Sequence, residues 1–121
     1  MILTILILQK RGREVMEIQQ AIDTVYNGLV SDNSVPVKLR LNKELDTELL
    51  NKVRVALDIL IHFYKDKEIV PKKLALAMVD IYGAFSFQSS YFEDDLLEQL
   101  EDIAIELQEK ALELFSNEKT K

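Results

Sequence analysis

The sequence predicts an all-α protein, an antiparallel four-helix bundle with a left-handed twist. Three observations lead there. Apolar residues recur at helical spacing in four separate stretches. Glycine (3) and proline (2) are too scarce for the many turns of an all-β sandwich or barrel. The connections between the stretches are short to medium, which makes consecutive helices antiparallel neighbours. With 121 residues, 48% of them hydrophobic and 30% charged, the chain has the balance of one soluble globular domain.

The first stripe starts at Met16. Ile18, Ala21, Ile22, Val25 and Leu29 fall on one helical face, with Glu17, Gln19, Gln20, Asp23 and Thr24 off it. The helix should stop between Asn27-Gly28 and Ser31, where small polar residues cluster. Ser34 to Leu41 alternates apolar and polar residues and contains Pro36. Proline excludes the middle of a sheet, so the segment is expected to be an extended loop that turns helical by Asn42.

A long second helix follows. Its stripe is Leu45, Leu49, Leu50, Val53, Leu57, Leu60, Ile61 and Tyr64, with Asn42 or Asp46 as its cap. The charged run Lys65-Asp66-Lys67-Glu68 ends the pattern. Pro71 then stands where a helix begins. The third helix, from Pro71 to about Phe85, is apolar on nearly every side (Leu74, Ala75, Leu76, Ala77, Met78, Val79, Ile81, Tyr82) and is expected to be the buried one. A polar turn, Ser86 to Tyr91, leads to the last helix, with Ser89 or Ser90 as its cap and Glu93, Asp94 and Asp95 in its first turn, where the helix dipole favours negative charge. Its stripe is Leu96, Leu97, Leu100, Ile103, Ala104, Leu107, Ala111, Leu114 and Phe115.

The first fifteen residues stand apart. Met1 to Leu8 is an eight-residue apolar run, too short for a bilayer span of about 20 residues. It also precedes its basic cluster, the reverse of a secretory signal, and reads structurally as a short strand. Lys10-Arg11-Gly12-Arg13-Glu14 can be encoded by a purine-rich stretch like a bacterial ribosome-binding site, shortly before the codon of Met16. The expected domain is therefore 16–121, with 1–15 a doubtful extension. An intact native N-terminus at Met1, read by mass spectrometry, would contradict that start.

The chemistry is sparse. Without cysteine there is no disulfide, thiolate zinc site or cysteine nucleophile. A single histidine, His62, leaves no His cluster and no Ser-His-Asp system. It reads as a partly exposed residue near a helix end. Glu98, Asp102, Glu106, Glu109 and Glu113 line one face of the last helix. That face lies beside the apolar stripe, and no Glu-x-x-His pair points a metal site into the core. The face reads as solvated, with Glu106 and Lys110 as an i,i+4 pair. No cofactor and no metal site are expected.

The three glycines stand alone, so no phosphate-cradling loop exists. A net charge of −6 disfavours nucleic acid. Lys65, Lys67, Lys72 and Lys73 around Pro71 are interleaved with Asp66 and Glu68 and read as a hydrated loop. The densest aromatic cluster remains: Tyr82, Phe85, Phe87, Tyr91 and Phe92. Tyr82 and Phe85 are expected to close one end of the core. Phe87, Tyr91 and Phe92, in and beside a polar turn, are the candidate partner anchors, with Phe115 at the end of the last stripe as a fourth.

From Glu48 to Leu107 the chain reads LLNKVRVALDILIHFY, a charged loop, Pro71 opening an apolar helix, an aromatic turn, then FEDDLLEQLEDIAIEL. This layout resembles the immunity proteins of pediocin-like (class IIa) bacteriocins, the enterocin A immunity family. The resemblance is one of pattern and size, without a sharp motif. It implies a cytoplasmic antiparallel four-helix bundle, not an enzyme. It also implies protection of the producing cell, by binding the bacteriocin-occupied mannose permease from the cytoplasmic side without inserting in the membrane. In the family the C-terminal half sets which bacteriocin is countered. Here the tail from Ser116 to Lys121 is short, so specificity is expected on the hairpin between the third and fourth helices. The other class of reading is a small helical regulator or antitoxin that binds a protein partner through an apolar groove.

Overall fold

A first helix, α1, covers residues 18–29 in a computed structural model that describes residues 18–116. The expectations for 1–15, including the strand reading of Met1 to Leu8 and the start at Met16, lie outside the described residues. Ala21, Ile22, Val25 and Leu29 are buried, and Ile18 packs against the core at its edge. The helix ends where expected. Val30 N–H donates to the Tyr26 carbonyl at 2.8 Å, and the Ser31 hydroxyl donates to the Asn27 carbonyl at 2.6 Å.

Helix α2, Val35–Asn42, replaces the expected extended loop. Ser34 is its N-cap, with Val37 N–H donating to the side-chain oxygen, and Pro36 lies in the first turn, where its missing N–H costs nothing. Lys43, with φ 56°, closes the far end by donating its N–H to the Leu39 carbonyl. The alternation was misleading because only Val35, Pro36 and Leu39 turn inward. Val35 and Leu39 are one turn apart, and Leu41 is 75% exposed.

Helix α3 spans Thr47–Tyr64. Of the two candidate caps Asp46 serves: its Oδ1 accepts from Leu49 N–H at 3.0 Å, and its Oδ2 holds Lys38 at 2.7 Å. Leu50, Val53, Ala56, Leu57, Leu60 and Tyr64 are buried.

The single third helix expected from Pro71 to Phe85 is two shorter ones, α4 (Lys72–Met78) and α5 (Ile81–Ala84), broken at Val79-Asp80. Pro71 sits at the N-cap position of α4. The arm is not buried on all sides. Leu74, Ala77, Met78 and Ile81 point inward, whereas Leu76, Val79 and Tyr82 are exposed. A seven-residue helix offers one face to its neighbours, and the break turns the next apolar residues to solvent.

Helix α6 covers Asp94–Phe115. Asp94 and Asp95 occupy its first turn as expected, but the N-cap position falls to Glu93 rather than to Ser89 or Ser90, and no side chain caps it. Leu100, Ile103, Ala104, Leu107, Ala111 and Leu114 form its buried stripe.

Every regular element among the described residues is a helix, so the class is all-α. Cross-links give the directions. Gly28 of α1 faces Leu49 and Val53 of α3, while Ile18 shares a cavity with Ile59, His62 and Phe63. These two helices therefore run antiparallel. Arg54 holds Glu106 at 2.8 Å and Lys110 holds Asp58. Both partners advance four residues from the first pair to the second, so α3 and α6 run parallel, side by side. These pairs take the place of the expected link between Glu106 and Lys110 within α6. The α4–α5 arm closes the other side: Lys73 reaches Asp23 of α1 at 2.8 Å, and α5 packs against α6.

Candidate partner-binding surface

The turn between α5 and α6 is fixed from below by Phe85, whose side chain is buried. Its backbone folds back on α5: Ser86 N–H donates to the Gly83 carbonyl and the Ser86 hydroxyl to the Tyr82 carbonyl at 2.8 Å. Above it three rings form one cluster. Phe87 stacks on Tyr91 with centroids 5.7 Å apart. Phe92 meets both edge-on, at 4.9 Å from Phe87 and 4.7 Å from Tyr91. Edge-to-face and offset pairs of this kind are favourable beyond the area they bury. Phe87 and Phe92 are half-buried against the core, and Tyr91 is 37% exposed.

Tyr91 is tied to α2. Its hydroxyl donates to the Arg40 carbonyl at 2.7 Å, and the Lys43 ammonium lies 4.8 Å from its ring centroid. The roles of Arg40 and Lys43 had no signal in the sequence, because the segment that carries them read as a loop. The unusual φ of Lys43 follows from ending α2 there.

The fourth candidate, Phe115, is 51% exposed but does not join this cluster. It stands at the opposite end of α6, about 30 Å from the aromatic turn at 1.5 Å per residue. Tyr82 departs from its expected place. It does not close the core but is 47% exposed, and with Phe87, Ser86, Ser89, Glu98 and Glu101 it lines a cavity of about 410 Å³ between the turn and α6. A second concavity, of about 480 Å³, runs between α1 and α3 along Ala21, Thr24, Val55 and Ile59.

The other sequence candidates behave as solvated groups. His62 is exposed. Lys67 donates to the Phe63 carbonyl and covers its ring, and Lys73 is held by Asp23 and lies over Tyr26. Hydrogen bonding to Lys73 holds the Asp23 carboxyl below its ordinary value, and the Lys38 bond together with the Leu49 N–H does the same for Asp46. Burial pushes the Tyr64 phenol up. Among the described residues no three His, Cys, Asp or Glu side chains converge to hold a metal, and no helix is long and apolar enough to cross a membrane.

No family model, curated protein or solved structure matches the chain.

Proposed function

We propose that the chain is a cytoplasmic bacteriocin immunity protein of the pediocin-like class. In this reading it is a non-enzymatic antiparallel four-helix bundle with a left-handed twist. It protects the producing cell by binding the bacteriocin-occupied mannose permease from the cytoplasmic side. The observation that carries the reading is the aromatic turn. Phe87, Tyr91 and Phe92 form one ring cluster at the hairpin where the short tail leaves specificity to be expected. Aromatic side chains set on a braced turn give large contact area at low entropic cost, as partner anchors do.

The test is survival. The full chain is expressed in a strain sensitive to pediocin-like bacteriocins, which is then challenged with a panel of those peptides. Protection against one or two peptides supports immunity. Uniform killing across a broad panel rejects it.

A second reading, a helical regulator or antitoxin, is favoured by one observation. The concavity between α1 and α3 is largely apolar, and Val55 stands 61% exposed in its wall. A groove of that kind suits an amphipathic helix of a partner. Val55→Glu separates the two readings: it should abolish partner capture by a regulator and leave bacteriocin protection intact.

A further inference from the structure

We propose that the cavity between the aromatic turn and the first turns of α6 takes a basic side chain, arginine above lysine, from a cationic segment of the partner. This deepens the reading of the turn as the partner-facing end and rests on it.

The walls of the cavity supply what a guanidinium needs. Tyr82 and Phe87 line it with aromatic rings, and Phe85 and Leu97 add apolar lining that suits a methylene stem. Glu98 and Glu101 stand three residues apart on the same face of α6 and both line the cavity. A guanidinium meets carboxylates as a planar fork and stacks on rings with the same group, which an ammonium does less well. The Ser89 hydroxyl at the rim adds a further acceptor.

The carboxylates are uncommitted. Neither Glu98 nor Glu101 has an ion-pair or hydrogen-bond partner among the described residues, whereas Glu106, two turns further along the helix, is held by Arg54. Two adjacent unpaired carboxylates repel one another, and a bound cation removes that cost. Glu93, Asp94, Asp95 and Asp102 are exposed close by in sequence and extend the negative field, which speeds encounter with a cationic partner. A hard cation such as Ca²⁺, which takes about 6–8 oxygen ligands, fits less well against walls that are largely ring and hydrocarbon.

The experiment is a titration of the full ¹⁵N-labelled chain with hexa-arginine amide, followed by amide chemical shifts, with hexalysine and hexaglutamate in parallel. Shifts should concentrate between Tyr82 and Glu101, hexalysine should bind more weakly, and hexaglutamate should give none. Glu98→Gln with Glu101→Gln should weaken hexa-arginine about tenfold. Tyr82→Ala should weaken it too. Glu109→Gln with Glu113→Gln, which removes equal charge from the far end of α6, should leave it unchanged. Equal losses in the two double variants, or shifts spread along all of α6, would overturn the proposal. The titration uses no bacteriocin, so it can fail while protection succeeds, and protection can fail while it succeeds.

Discussion

Two ion pairs cross the seam between α3 and α6, and Leu57, Leu60, Leu100 and Leu107 of these helices are sealed from solvent. On the α4–α5 arm, Leu76, Val79 and Tyr82 are open to solvent, the longer helix has seven residues, and neither helix has a side-chain cap. Both regions have apolar sequences. What separates them is helix length. Helices of 18 and 22 residues present several turns of one stripe to each other. A helix interrupted at Val79-Asp80 cannot, so part of its apolar surface stays available. The seam holds the fold, and the arm with its aromatic turn presents a surface.

The comparison is sharpest in its cavities. Leu100→Ala empties a sealed site on α6 and should cost about 2–5 kcal/mol in urea unfolding. Val79→Ala, at a position 77% exposed on the arm, should stay within about 0.5 kcal/mol. Similar losses at both sites would break the division.

The next effect tests how closely α1 meets α3. A Cβ at Gly28 would run into the Val53 Cγ2 methyl. Val53 is fully buried and stiff about χ1, so it cannot swing clear. Gly28→Ala should cost about 1–3 kcal/mol by overpacking, although alanine is the better helix former. A gain in melting temperature would mean that the two helices are further apart.

Asp46 comes third. Removing its cap by Asp46→Ala should cost about 0.5–2 kcal/mol at neutral pH. Its carboxyl titrates below the ordinary value of 3.8 in the folded protein, so it binds protons less readily there than in the unfolded chain. Its contribution is therefore complete above the ordinary carboxylate range and is lost as pH falls through the depressed value. The gap between wild type and variant, followed by denaturation at a series of pH values, should narrow in acid. A smaller effect is expected at the Arg54 pair. Its pair with Glu106 is about one-third exposed at each end, and Glu106→Gln should cost no more than about 1 kcal/mol.

The long stripes of α1, α3 and α6 were legible because several turns of apolar residues repeat at one spacing. The end of α1 and the Asp46 cap followed from side chains that bond their own backbone. Helix α2 was hidden by its length. Eight residues with four apolar ones fit a period of two as well as a helix, and the deciding signals, Ser34 before the helix and Pro36 in its first turn, were outweighed by the alternation. The break at Val79-Asp80 carries neither glycine nor proline. Its trace lies three residues on, at Gly83, where a Cβ would strike the Asp80 carboxylate. In the candidate surface, Phe87, Tyr91 and Phe92 were found as a sequence cluster. Phe115 ends the same apolar stripe in sequence, and the 22 residues of α6 set it at the other end of that helix. The hold of Arg40 and Lys43 on Tyr91 joins residues about fifty positions apart, beyond any local pattern.

In the proposed function the aromatic turn, and not the far end of α6, meets the partner. The direct measurement is bacteriocin survival of sensitive cells carrying the full chain, its Tyr91→Ala variant or its Phe115→Ala variant, each shown to be folded by its melting temperature. The expected result is protection by the wild type, its loss with Tyr91→Ala, and its retention with Phe115→Ala. Protection that survives Tyr91→Ala and fails with Phe115→Ala would contradict it.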